Sequence, residues 1–186
     1  MGLILASRSP QRRAILQRLG IEFEVVDVDV EEIADRPAIE TARENALRKA
    51  RAGVQLRPQD TVLGVDTVVT LDGEIFGKPA SAEDAERTLK RLSGRTHEVV
   101  SGLALLVPGN PQVVHEVTKV TFRELPDDVV RRYVKTGEWS GRAGGYAIQE
   151  QGGALVRRIA GDYLNVVGLP IGRLLDLDSS LILRQR

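Results

Sequence analysis

Four consecutive apolar residues, Leu3 to Ala6, run straight into Ser-Arg-Ser-Pro, and Ile15, Leu16 and Leu19 then recur at helical spacing until Gly20. That order predicts a short buried strand, a loop and a helix. From Phe23 to Val30 the pattern alternates, with Val26, Val28 and Val30 on one face and Asp27 and Asp29 on the other, as in a half-buried strand. Ala38 to Val54 has the spacing of a charged amphipathic helix, with Gly53 near its end. Thr61 to Pro79 holds two apolar runs joined at Asp72-Gly73, the dipeptide of tight hairpin turns. A helix follows over Ala82 to Leu92, ending at Ser93-Gly94. Strands are expected at Glu98 to Val107 and Val113 to Glu124, on either side of Pro108-Gly109-Asn110-Pro111. Pro126 to Lys135 predicts a helix, Ser140 to Val156 is glycine-rich, and Leu169 to Leu183 predicts a closing helix.

Strands and helices thus alternate, with at least two hairpins inserted. The expected fold is α/β, a mixed sheet flanked by helices with a cleft where strand-end loops converge. The hairpins argue against a purely parallel Rossmann sheet, and neither G-x-G-x-x-G nor G-x-x-x-x-G-K-[ST] occurs. With 186 residues and no repeat or linker, one domain over residues 1–186 is expected. Lys plus Arg balance Asp plus Glu at 26 each, so no long-range field points to nucleic acid or a membrane as partner. The absence of cysteine excludes disulfides, thiolate metal sites and a cysteine nucleophile. The two histidines, His97 and His115, lack zinc-ligand spacing. No basic, then apolar, leader opens the chain and no stretch approaches bilayer length, so a soluble cytoplasmic protein is expected.

Several residues sit badly in this pattern. Ser9 suits an N-cap and Pro10 a first helical position, which puts Gln11, Arg12 and Arg13 in the first turn, where the helix dipole disfavours cations. Either the arginines turn to solvent, or an anion in front of the helix offsets the cost. Asp66 interrupts an apolar β-run, either as a surface bulge or as a buried carboxylate that needs a partner or a metal. Glu31-Glu32 reads as a solvated edge on its own, and with Asp66 as hard oxygen ligands of the kind that hold Mg²⁺. Lys49 and Lys78 read singly as surface residues. The tract around Tyr146, Ile148 and Gln149 reads as a flexible loop or, from its apolar residues, as packed chain with a glutamine suited to a base edge.

The blocks LASRSPQRRAIL, VEE, GVDTVV, DGEIFGKP, LSGRTHEV, AGGYAIQEQGG and GDYLNVVGLP, in this order, resemble the Maf proteins, nucleoside triphosphate pyrophosphatases. The resemblance spans nearly the whole chain. It implies two α/β lobes on an elongated mixed sheet with a central cleft, and hydrolysis between the α and β phosphates to a monophosphate and pyrophosphate. It further implies a divalent metal (Mg²⁺, Mn²⁺ or Co²⁺) and, since members are often dimers, a homodimer. By position, Asp66 matches the proton acceptor, Glu32 and Asp66 the metal ligands, and Lys78 and Lys49 the cleft lysines. Ser7, Ser9 and Arg12 match the phosphate-facing loop. Thr67 and Gln149 match the subgroup that prefers dTTP and UTP, which also carries arginine where this chain has Gln11. The resemblance therefore implies dTTP and UTP as substrates, with modified or non-standard nucleotides also in view. Alternatives are a 7-methyl-GTP pyrophosphatase and a non-catalytic nucleotide-binding regulator of septum formation.

Overall fold

The computed structural model describes residues 2–108 and 110–183. Leu3–Ala6 is strand β1, and Pro10–Arg18 is helix α1, where the Ser9 hydroxyl accepts a hydrogen bond from the Arg12 N–H and Pro10 occupies the first turn. Strand β2 is only Glu24–Val26, shorter than the alternation predicts. Its ladder partner β1 ends at Ala6, opposite Val26, so the alternating residues beyond have no edge to pair with and the chain runs irregularly to Pro37. Helix α2 (Ala38–Leu56) leads into β3 (Thr61–Leu71), and a turn with positive φ at Asp72 and Gly73 joins β3 to β4 (Glu74–Phe76). That is the expected hairpin, with φ above zero at both central positions as a type I′ turn requires.

Helix α3 (Ala82–Leu92), capped by Ser81, precedes the long strands β5 (Thr96–Val107) and β6 (Asn110–Phe122). Of the turn predicted between them, Gly109 lies outside the described residues. Helix α4 (Asp127–Lys135) is followed by the glycine-rich tract, which forms 3₁₀ turns at Ala143–Gly145 and Gln151–Leu155 and buries Tyr146, Ala147 and Ile148. Strand β7 (Val156–Ala160), which the pattern does not announce, and helix α5 (Tyr163–Val167) follow. The predicted closing helix is two, α6 (Ile171–Leu177) and α7 (Ser180–Leu183). Asp178 is extended between them, and its carboxylate accepts from the Ser180 N–H and hydroxyl, a local alternative to helical bonding.

The seven strands make one mixed sheet, ordered β2-β1-β3-β5-β6-β7, with β4 also on β3. β1 is parallel to β2 and β3, and every other pairing is antiparallel. On one side β3 pairs with β5 without a break from Val62 to Thr70. On the other it pairs with β1 as far as Gly64 and with β4 only from Val69. Between those partners the β3 edge faces no strand, and a cleft opens there. Separate cores lie to either side: Leu5, Leu16, Leu63, Leu103 and Leu174 toward β1, and Val69, Leu89, Val99, Phe122 and Tyr133 toward β4.

Helix α2 crosses the sheet face along a seam of small residues, Ala42, Ala46 and Ala50, set against Gly102 and Gly64. A Cβ at Gly102 would lie 2.1 Å from the Ala42 carbonyl oxygen, and one at Gly64 would lie 2.2 Å from that of Ala46. Only glycine permits this approach, and the same turns of the helix carry Asn45 and Lys49, which reach the acid at the cleft.

Candidate active site

The cleft encloses about 390 Å³ and is lined from both lobes. Its deepest acid is Asp66, 6% exposed, on the stretch of β3 that is open along one edge. The register Val65↔Leu103, Asp66↔Gly102, Thr67↔Ser101 is continuous, so there is no bulge and the carboxylate is turned inward with partners. Lys49 Nζ lies 2.6 Å from Asp66 Oδ1 and 2.6 Å from Glu32 Oε1, one ammonium shared by two carboxylates. Asn45 Nδ2 donates to Asp66 Oδ2 at 3.1 Å. Burial alone would raise the Glu32 carboxyl, but the Lys49 hydrogen bond and charge, with Lys78 and Arg12, hold it below its ordinary range.

The segment that carries Glu32 has no regular structure, and α2 holds it. The Thr41 hydroxyl donates to the Arg36 carbonyl at 2.8 Å, Asn45 pairs with both backbone groups of Ile33, and Arg48 donates to the Glu31 carbonyl at 3.2 Å. Each bond answers a backbone group that would otherwise lack a protein partner.

Arg12 is 9% exposed and largely committed. Its Nε donates to the Gly168 carbonyl at 2.8 Å, Nη1 to Ser7 Oγ at 3.1 Å and Nη2 to Thr67 Oγ1 at 3.1 Å. Burial pulls the guanidinium down, and the charges of Asp66 and Glu32 oppose that pull. Three of its five N–H groups are thereby engaged, leaving two. Thr67 is equally occupied, sharing a 2.9 Å hydrogen bond with Ser101 Oγ besides its bond to Arg12. The Ser9 hydroxyl, besides capping α1, donates to Gln11 Oε1 at 3.1 Å, and Ser7 Oγ also accepts from the Ser9 N–H. Arg13 points elsewhere, toward Asp27 at 3.6 Å.

From the other lobe, Lys78 follows β4, and Tyr146 to Gln149 of the glycine-rich tract complete the wall. Tyr146 is fixed from behind by His97 Nε2 at 2.8 Å, edge-on to the His97 and Phe122 rings. The structure thus brings Ser7, Ser9, Gln11, Arg12, Glu32, Lys49, Asp66, Thr67, Lys78 and Gln149 to one cleft. It adds two cations that sequence reading left unassigned, Arg8 and Arg142, and one buried amide, Asn45. Arg142 carried no signal beyond being basic among glycines. Asn45 carried little more, a polar residue in an amphipathic helix that only the fold shows to face the sheet. Five cationic side chains, Arg8, Arg12, Lys49, Lys78 and Arg142, face three acidic ones, Asp29, Glu32 and Asp66, in the lining. The excess favours an anionic guest. Among the described residues no three or more His, Cys, Asp or Glu gather as a metal cage, and no helix is long and apolar enough to cross a membrane.

Known proteins resemble this chain over nearly its whole length. A dTTP/UTP pyrophosphatase of Pyrococcus furiosus is 46% identical over 173 residues, covering 91% of this chain and 90% of its own. One from Symbiobacterium thermophilum is 48% identical over 174 residues, covering 92% and 89%. The Thermotoga maritima protein of the same name is 46% identical over 174 residues, covering 92% and 85%. Residues 2–180 match the family model described as Maf-like protein, and the chain belongs to the Maf family.

Proposed function

We propose that this protein is a nucleoside triphosphate pyrophosphatase that takes dTTP and UTP. The observation that carries the reading is Asp66: a buried carboxylate clamped by Lys49 and Asn45 at the open edge of β3, in a cleft whose other charges are mostly cationic. The relatives named dTTP/UTP pyrophosphatase support the substrate choice.

In this reading the triphosphate lies against the start of α1, where the dipole and the two uncommitted Arg12 N–H groups favour oxyanions, and the Ser9 hydroxyl can join them by giving up its bond to Gln11. Lys78 and Lys49 offset charge that develops on the phosphates. Asp66 orients a water and takes its proton as the water oxygen bonds to phosphorus. The bond between the α and β phosphates breaks and pyrophosphate leaves. Glu32 and Asp66 suit a divalent cation of the Mg²⁺ type, because such ions are commonly held by one or two carboxylates with water and phosphate oxygens completing the shell. Both carboxylates already reach for one positive charge, the Lys49 ammonium. A bound Mg²⁺, Mn²⁺ or Co²⁺ would supply further neutralisation of the phosphates. Gln11 presents a neutral amide where the resemblance leads one to expect arginine; its Oε1 accepts from Ser9, and its two N–H groups are what it can offer a ligand, without charge.

Initial rates with dTTP, UTP, CTP, 7-methyl-GTP and ITP, with each metal and with a chelator, test the proposal. Metal-dependent release of monophosphate and pyrophosphate, fastest for dTTP and UTP and lost in Asp66→Asn, is expected. No product from any of the five would overturn it.

A further inference from the structure

Asn45 stands in the middle of α2, where asparagine is a poor helix former, and it is 2% exposed. Burying a primary amide costs free energy unless its polar atoms find partners. Here they do: Oδ1 accepts from the Ile33 N–H at 2.9 Å, and Nδ2 donates to the Ile33 carbonyl at 3.0 Å and to Asp66 Oδ2 at 3.1 Å. Both amide hydrogens are used, and they go to different things. One binds the chain beside Glu32, the other binds Asp66 itself.

Ile33 follows Glu32 directly, in a stretch without helix or strand, and the hydrogen bonds described for the backbone of residues 28–36 all come from α2. Ile33 is the residue of that stretch held by both its N–H and its carbonyl. The Lys49 bridge joins the same two acids by charge, but an ammonium on a four-carbon stem accepts many geometries. A planar amide bonded on three sides does not.

We propose that Asn45 is a positioning residue: it locks the Glu32-bearing segment to the Asp66 carboxylate and so sets the relative placement of the two acids. The proposal rests on the functional reading above for its kinetic consequence, while the lock itself can be tested without catalysis. In this reading Asn45 touches neither the water nor the phosphates and acts through the Asp66 carboxylate and the Glu32 segment. Its effect is expected in kcat, since misplacing groups that act in the transition state costs turnover more than ground-state binding.

The test uses Asn45→Leu, close in size and a better helix former, and Asn45→Asp, which keeps an acceptor for the Ile33 N–H but removes both donors. Asn45→Leu is expected to lower kcat on dTTP by about 10- to 100-fold with KM changed by less than about threefold. Its Ile33 amide should exchange with solvent about tenfold faster, while amides within α2 keep their protection. Asn45→Asp should keep the Ile33 protection and still lose kcat, because a second carboxylate then faces Asp66. A residue that merely fills space would show neither effect, or would speed exchange throughout α2 and leave the turnover of folded molecules unchanged. Either of those results overturns the proposal, as does unchanged Ile33 exchange in Asn45→Leu. If Asn45→Leu fails to fold, Asn45→Ala carries the same two readouts: faster Ile33 exchange with lowered kcat is expected, and unchanged Ile33 exchange or unchanged kcat overturns the proposal. A wild-type chain without pyrophosphatase activity would remove the functional reading, and the exchange results would still decide the lock.

Discussion

The Thr67 hydroxyl receives an N–H from Arg12 and shares a hydrogen bond with Ser101, so it has little capacity left for a nucleobase. The position matches one at which the resemblance leads one to expect base selection, yet here it acts by holding an arginine. Thr67→Val, which suits a strand and removes the oxygen, is therefore expected to raise KM for dTTP, UTP and 7-methyl-GTP together. A tenfold rise, about 1.4 kcal/mol, corresponds to leaving one buried N–H unpaired. Steady-state kinetics on the three nucleotides checks this, and a change in their KM ratio would instead make Thr67 a reader of the base. Single residues were legible in the sequence where they broke a pattern. Asp66 was visible because aspartate does not belong in an apolar strand. Asn45 and Arg142 were harder, because a polar residue in an amphipathic helix or a basic one among glycines has many ordinary explanations. Only the fold decides which side of the element it occupies.

At the level of elements, the α2 seam links packing to chemistry. Gly102→Ala would drive a Cβ into the Ala42 carbonyl, with no flexible side chain able to yield. Because Thr41, Asn45, Arg48 and Lys49 all ride on α2, displacing the helix shifts the Glu32 segment and the Asp66 clamp together. Overpacking of this kind costs about 1–3 kcal/mol, and turnover should fall with it. Gly172→Ala in α6, where an added Cβ meets nothing within 4 Å, is the contrast. It should hold or gain up to ~1 kcal/mol with kinetics unchanged. Thermal melts and kcat of the pair check the expectation, and equal effects would detach the seam from the site. Helices with strong period and clear stops, such as Ala82–Leu92, were legible in the sequence almost to the residue. The length of strand β2 was not, because alternation reports which face is buried and says nothing of whether a neighbour exists to pair with. Nor was the break at Asp178, where a local side-chain bond overrides apolar spacing.

For the molecule as a whole, acid stability should depend on His97. Burial beneath Tyr146 and against Phe122 pushes its imidazole down to about 4, against ~6.5 in an unfolded chain. Below ~6.5 the unfolded state takes up a proton that the folded state refuses. This contribution is full above ~6.5, declines as pH falls through that window and is gone below about 4. The loss amounts to about 3 kcal/mol. Urea unfolding at a series of pH values should show that slope in the wild type and a shallower one in His97→Leu; parallel slopes would assign the effect to other groups. The mixed sheet with flanking helices was legible from the order of strands, helices and hairpins. Where the cleft falls was not, because it depends on where β1 stops along β3 and where β4 begins, a matter of register that no single segment encodes. That interruption also governs mechanics. β3 and β5 continue past it, rung for rung, so the two lobes share a ribbon with no linker between them. Widening or narrowing the cleft must twist that ribbon, and a laddered ribbon resists and returns. The lobes are joined by a twisted ladder with no loop at the junction, so a change in cleft width has to be taken up as twist spread over many rungs.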